Sequence, residues 1–270
     1  MKRSERIVAM THHFKENPRT LTSLPYFVET FQAAKSSISE DIDIIDHMFR
    51  NLGIGKLETT AGAAGGVRYI PDFSLDNSKS FISQLIEVLE DPARILPGGY
   101  IYMSDVLGDL NWVRTIGKIF ASSFKDQEID YIVTVATKGI PLAYAVGEML
   151  NVPVVIIRRD PKVTEGSTVS INYVSGSSKK IQTMVLAKRS IPEGSNVVII
   201  DDFMKAGGTI QGMISLMKEF NATVQGIGVL AEAEDEDEER RINDYISLLK
   251  VQEVDERLQR IKIVPGNLFL

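Results

Sequence analysis

The sequence predicts an α/β protein: a parallel sheet with flanking helices, preceded by a small helical unit closed by a hairpin. Three observations carry that expectation. Beyond residue 74, short runs of β-formers alternate with amphipathic helical stretches, the order that builds parallel sheets. Ahead of them, three helical patterns lead into two short β-rich runs around a glycine-rich tip. Between Val197 and Thr209, four apolar residues run into two adjacent carboxylates and a small-residue turn. A strand, turn and helix in that order is how open α/β sheets hold ligands at the carboxyl ends of their strands.

The first helix is expected over Ser4 to Asn17, where Ile7, Met10 and Phe14 recur at helical spacing until Pro18 stops the pattern. A second spans Ser23 to Phe31, with Pro25 tolerated in its first turn. The third runs from Lys35 to Asn51, carrying Ile38, Ile42, Ile45 and Phe49 on one face. Ser37 with Glu40 three residues later reads as its capping box, and Gly53 as its end. KLETT, the tip AGAAGG and VRYIP then make a hairpin. Three helices and a hairpin are the order of a winged helix-turn-helix. In that reading Lys35, Ser36, Ser37 and Ser39 open the recognition helix and face a DNA groove. A three-helix bundle used for dimerisation fits the same local pattern, and both readings stay open at this level.

A boundary near Phe73 divides residues 1–73 from residues 74–270. Past it, Lys79 to Leu89 is an amphipathic helix and DYIVTVA a strand; TKGIP leads into a helix ending at Leu150. NVPVVII is the next strand, and a mixed-polarity stretch reaches MVLA. VVII, a helix from Thr209 to Phe220, and the strand TVQGIGVLA follow. The acidic block Glu232 to Glu239 reads as a solvated turn and helix start, and the last forty residues carry no motif.

Composition narrows the class. The chain has 270 residues, 44% hydrophobic and 24% charged, enough for one large or two modest cores. Cysteine is absent, which excludes disulfides and thiolate-held zinc. Three histidines, two of them adjacent, argue against a histidine-rich metal centre. No apolar run approaches the ~18 residues of a membrane span, and no apolar segment follows Lys2, Arg3 and Arg6, so a cytoplasmic protein is expected. The net charge of −6 arises entirely beyond residue 73, because the first 73 residues carry acids and bases in equal number. Whole-chain charge therefore leaves nucleic-acid binding to local patches.

Two segments carry chemistry. A glycine-rich turn at a helix N-terminus cradles phosphate with backbone N–H groups. Asp201 and Asp202 beside the Ala206–Thr209 turn would repel a bare phosphate but suit hydroxyls or a cation carried by the same ligand. A sugar phosphate meets both demands. Lys138 in TKGIP offers a compact positive charge, and Gly139 allows close backbone approach. Gly226-Ile-Gly228-Val-Leu-Ala231 imitates a dinucleotide fingerprint but lies inside a strand, so it is set aside. No P-loop run exists. His47 reads as helix surface and Trp112 as core or a domain contact.

The Val197–Thr209 segment resembles the phosphoribosylpyrophosphate (PRPP) motif of type I phosphoribosyltransferases. More of the chain resembles the purine operon repressors of Gram-positive bacteria. AKSSISED, TAGAAGGVRYIP, ILPGGY, TVATKGIPLAYA, KVTEGSTVSINYVSGSS, QTMVLAKRS and IIDDFMKAGGTI match in order between Lys35 and Val229. The resemblance implies a winged-helix domain joined to a phosphoribosyltransferase-like domain, in a homodimeric repressor of purine synthesis and transport genes. It implies double-stranded operator DNA as partner and PRPP, with Mg²⁺ accompanying it, as the inducer that weakens DNA binding. No cofactor is required and no residue is catalytic.

By that resemblance Asp201 and Asp202 take the ribose hydroxyls, while Ala206, Gly207, Gly208 and Thr209 hold the 5-phosphate with Lys205 adding charge. Thr137, Lys138 and Gly139 take the pyrophosphate. Arg158 and Arg159, with Lys162, bring positive charge from a segment that is a mobile flap, a surface hairpin, or both. Phosphates of DNA fall to Lys56 and Arg68 on the wing and to Lys2, Arg3 and Arg6. The rival function is an active purine phosphoribosyltransferase, and Lys205 discriminates. Hypoxanthine–guanine enzymes carry at that place an aspartate that accepts the purine's proton, and adenine-type enzymes a small residue followed by Thr. Here the pair is Lys205-Ala206, and a lysine cannot take the aspartate's part at neutral pH unless its pKa is strongly depressed. The crowding of cations near the pocket further suggests that PRPP and DNA, both polyanions, exclude each other.

Overall fold

The structure, a computed structural model, describes every residue except 63, 161–165, 175–180 and 234–241. Helices α1 (Arg3–Glu16), α2 (Leu24–Phe31) and α3 (Lys35–Asn51) precede a hairpin, β1 (Gly55–Thr60) and β2 (Gly66–Pro71). Met10, Phe14, Phe27, Ile38, Ile42, Ile45 and Phe49, all at helical spacing, meet Leu57, Val67 and Tyr69 of the hairpin in one small core. Ser23 caps α2 by accepting from the Tyr26 N–H, and Pro25 sits in its first turn.

The expected capping box of α3 does not form. Ala34 is the N-cap with no side-chain cap, and the Ser39 hydroxyl donates back to the Lys35 carbonyl. Glu40 is drawn away by Arg3 of α1. Helix α4 (Leu75–Leu89) begins four residues ahead of the expected Lys79, because Ser74 caps it by accepting from the Asn77 N–H.

The remainder is an α/β unit. A short hairpin, β3 (Ile95–Leu96) with β4 (Tyr100–Ile101), and helices α5 (Ser104–Gly108) and α6 (Leu110–Ser123) lead into β5 (Tyr131–Val135). Then come α7 (Ile140–Leu150), β6 (Val154–Ile157), the hairpin β7 (Thr168–Val174) and β8 (Ile181–Ala187), and β9 (Asn196–Met204). Helix α8 (Gly208–Glu219), β10 (Thr223–Ala233), β11 (Ile246–Asp255) and β12 (Arg260–Pro265) complete it. The six-stranded sheet has the order β12-β11-β10-β9-β5-β6, parallel throughout except for β12.

Alternation along the strands builds a core on each face. Ile132, Val198, Ile200 and Leu230 pack against α4, α6 and α7. Val133, Val197, Ile199 and Val229 pack with residues of α8 and the β7–β8 hairpin. Gly212 lets α8 approach that hairpin, since a Cβ there would lie 2.9 Å from the Tyr173 ring. Trp112 stacks at an angle on Phe81 at 5.2 Å. The C-terminal strands β11 and β12, unmarked by any motif, finish the sheet. Glu232, expected to be solvated, is buried and bonded to Tyr245 and Ser247; Glu239 lies outside the described residues.

The helical head rests on the loops that enter β5 and β6. Arg19, between α1 and α2, donates to the carbonyls of Lys125 and Gln127 just before β5. Lys125 pairs with Asp72 at 2.7 Å, the Phe73 N–H donates to Ser122, and Asn151 ahead of β6 donates to Thr20. These contacts lie at the amino ends of the strands. Ligand-binding turns lie at the carboxyl ends, about 17 Å away along a five-residue strand such as β5.

Candidate functional site

A cleft of about 1040 Å³ opens at the carboxyl ends of β5, β6 and β9. Its floor is the acid pair. Both aspartates lie within β9 itself rather than after it, because the strand continues to Met204. Asp201 is 4% exposed and accepts from the backbone N–H of Asp202 at 3.0 Å. Burial pushes its carboxyl well above the usual range, and the neighbouring Asp202 adds to the rise. Asp202 is raised too, by burial foremost. Two carboxylates held in a poorly hydrated floor call for donors: hydroxyls, or a cation brought with the ligand.

The glycine turn follows directly. Gly207 takes the left-handed conformation at φ +81° and caps α8, which starts at Gly208. The first N–H groups of a helix have no partner within it, so the Ala206–Thr209 turn presents donors and the positive end of the helix dipole. Opposite lies the loop after β5. Gly139 is buried where a Cβ would stand 2.4 Å from the Thr134 hydroxyl and 3.0 Å from Asp201 Oδ1. That contact places the loop directly against the acid pair and leaves room for no larger residue.

Of the ligand residues expected from sequence, Thr137, Lys138, Arg158, Arg159, Asp201, Asp202, Lys205 and Ala206 through Thr209 line this cleft, with Gly139 beneath it. Lys162 lies outside the described residues. Arg158 is fixed by a two-way backbone bridge to Val185 of β8. Sequence reasoning missed the other wall. The β3–β4 hairpin contributes Pro97 to Tyr100, β9 contributes Phe203, and β11 contributes Val251 to Val254. Glu256, just past β11, ties the hairpin down by accepting from the N–H groups of Gly98 and Gly99. The local signals were the paired glycines of ILPGGY and the alternation in SLLKVQEVD.

Among the described residues no group of three His, Cys, Asp or Glu could hold a metal ion. Mg²⁺ needs only one or two carboxylates when substrate phosphates and waters fill its octahedron. The acid pair fits a metal that arrives with a polyphosphate. Among the described residues no helix is long and apolar enough to cross a membrane.

On the head, Lys35 and Ser36 are exposed and Ser37 and Ser39 half-buried at the start of α3. Lys56 and Arg68 lie on facing strands of the hairpin. Lys2 is exposed at the N-cap of α1. Arg6 requires a correction. It is 8% exposed, with its guanidinium on the fully buried Asp41, so it joins α1 to α3 and is withheld from DNA phosphates. Arg3 is half exposed and spans Asp41 and Glu40. Sequence spacing gave no warning, because the partners are 35 residues apart.

Comparison with known proteins bears on both halves. A model described as bacterial purine repressor, N-terminal, matches residues 2–71, and one described as phosphoribosyl transferase domain matches residues 105–262. The chain is 56% identical over 266 residues to the purine biosynthesis transcriptional repressor PurR of Bacillus subtilis (strain 168), covering 98% of this chain and 93% of the relative. It is 46% identical over 269 residues to a Lactococcus lactis subsp. lactis protein named purine biosynthesis transcriptional activator PurR, covering 100% and 99%. Among solved structures, adenine phosphoribosyltransferase from Thermoanaerobacter pseudethanolicus superimposes with TM-score 0.54 at 23% identity, over 62% of this chain and 98% of that one. The last likeness concerns the fold alone.

Proposed function

The chain belongs to the bacterial purine-biosynthesis transcriptional regulators, and from that premise we propose that its cleft senses PRPP and that filling the cleft weakens its hold on operator DNA. The protein is a DNA-binding repressor of purine-biosynthesis genes and not an enzyme. Transport genes belong to the proposal, as do the inducer, the homodimer and every residue role below.

One observation supports the sensing role above the others. The cleft keeps the buried acid pair and the α8 turn, while Lys205 stands where hypoxanthine–guanine enzymes carry a proton-accepting aspartate. In this reading Asp201 and Asp202 accept the ribose 2′- and 3′-hydroxyls. The N–H groups of the Ala206–Thr209 turn hold the 5-phosphate. Thr137, Lys138 and Gly139, with Arg158 and Arg159, hold the pyrophosphate, and Mg²⁺ enters with it.

On the DNA side, the start of α3 (Lys35, Ser36, Ser37, Ser39) enters the major groove, and Lys56, Arg68, Lys2 and Arg3 contact phosphates. A homodimer presents two such heads to two half-sites. The head lies at the opposite end of the strands from its own cleft, which argues against simple competition of two polyanions on one shared patch. Strands β5 and β6, touched by the head at one end and by the ligand at the other, are the shorter route within one chain.

Calorimetry with PRPP and Mg²⁺ on the full chain tests the cleft. Binding is expected, and its loss is expected in Asp202→Ala with DNA binding kept. Absence of PRPP binding by the native chain contradicts the reading. So does nucleotide formation when PRPP and a purine base are incubated with it.

A further inference from the structure

The hairpin that serves as wing in the proposed DNA complex carries its two cations on one carboxylate. Glu58 lies directly across from Arg68 in the β1–β2 register, and Lys56, two residues earlier on β1, shares its face. Lys56 Nζ is 2.8 Å from one Glu58 oxygen, and Arg68 Nη2 and Nε are 3.0 and 3.2 Å from the other. All three side chains are partly exposed, so solvent and DNA can reach them. The same device recurs on α1 and α3. There the half-exposed Arg3 donates to the exposed Glu40 at 3.0 Å.

Exposed ion pairs stabilise a fold by only about 0–1 kcal/mol, so folding gives little reason for a carboxylate here. Its position gives a better one. Each Glu58 oxygen holds its cation at the hydrogen-bond distance that a phosphate oxygen would take. We propose that Glu58 is a specificity-determining residue of DNA binding: it presets Lys56 and Arg68 for phosphate while cancelling part of their charge. This rests on the reading of the hairpin as a wing.

The two effects act on different complexes. Binding to DNA of any sequence is governed by net charge and counterion release, and a neutralised cation releases fewer counterions. A close-fitting operator complex gains in addition from side chains already held in the bound geometry. Glu58 therefore weakens non-specific binding more than operator binding. Glu40 acts on Arg3 in the same sense.

The test uses the full chain with two duplexes of equal length, one from the control region of a purine-biosynthesis gene and one scrambled, over a range of salt. Glu58→Gln keeps an acceptor for Arg68 and removes the charge. Scrambled-duplex affinity is expected to rise about three- to tenfold and its salt slope to steepen by about one unit. Control-region affinity is expected to change less than twofold, so discrimination falls. An equal change on both duplexes, or weaker binding to both with an unchanged melting temperature, overturns the proposal. Arg68→Ala separates the premise: it must weaken both complexes, and if it leaves both affinities and slopes unaltered, the wing reading fails and the proposal with it.

Discussion

Arg19 of the helical head and Gln127 of the α/β unit are joined by a guanidinium-to-carbonyl hydrogen bond of 2.9 Å. A second, at 2.7 Å, reaches the carbonyl of Lys125. Both acceptors precede β5, whose other end becomes the Thr137–Gly139 loop. Arg19→Ala should therefore leave PRPP affinity and operator affinity, each measured alone, within about twofold. It should reduce the effect of one on the other, normally worth about 1–3 kcal/mol in coupled sites. Operator titrations with and without PRPP check this, and undiminished coupling would place the signal elsewhere.

The acid pair makes the stability of the protein sensitive to pH. Burial raises both carboxyls above their unfolded values, and at Asp201 the charge of Asp202 adds to the rise. A raised acid favours the folded state fully below its unfolded pKa, and that contribution is lost as pH rises through the folded pKa. Asp201→Asn removes the charge that must be buried at neutral pH and keeps an acceptor for the Asp202 N–H. Its melting temperature without ligand should exceed the parent's at pH 7 by about 2 °C or more, roughly 1 kcal/mol for a unit of this size. The difference should shrink towards pH 4. A lower melting temperature at pH 7 would contradict the assignment.

Gly139 is set by space. Its missing Cβ would meet a hydroxyl at 2.4 Å and the Asp201 carboxylate at 3.0 Å. Gly139→Ala must displace the loop from the acid pair, so PRPP affinity should fall at least about tenfold, or about 1.4 kcal/mol. Operator affinity without PRPP should persist. Calorimetry beside a DNA titration distinguishes this from general unfolding, which would abolish both.

Two basic residues of the head should behave oppositely. Arg6→Ala strands the buried Asp41, and breaking a buried pair costs about 3–5 kcal/mol. Arg3, still bonded to Asp41, moderates that cost. The loss should appear in urea unfolding, with little change in the salt slope of whatever folded protein binds DNA. Lys35→Ala should do the reverse: stability within about 0.5 kcal/mol and a salt slope shallower by about one unit.

Much of this was legible in the sequence because its signals are local. Ile38, Ile42, Ile45 and Phe49 announce a helix face, and VVII followed by two aspartates announces a buried strand that carries an acid pair into the cleft. The missed features depend on partners far along the chain. Glu40 was expected to cap its own helix, but Arg3 holds it from 37 residues away. Arg6 looked like any N-terminal cation until Asp41 took it into the interior. Glu232 sat in an acidic run, yet Ser247 and Tyr245 draw it into the core. The far wall of the cleft escaped notice for the same reason: Gly98, Gly99 and Glu256 meet across more than 150 residues.

The most direct test of the account is a titration of the full chain onto control-region DNA with and without saturating PRPP and Mg²⁺. A fall in DNA affinity of about tenfold or more is expected, absent in Asp202→Ala, with DNA lowering PRPP affinity by the same factor. DNA affinity unmoved by PRPP, in a chain that calorimetry shows to bind it, would contradict the claim that this cleft governs the repressor.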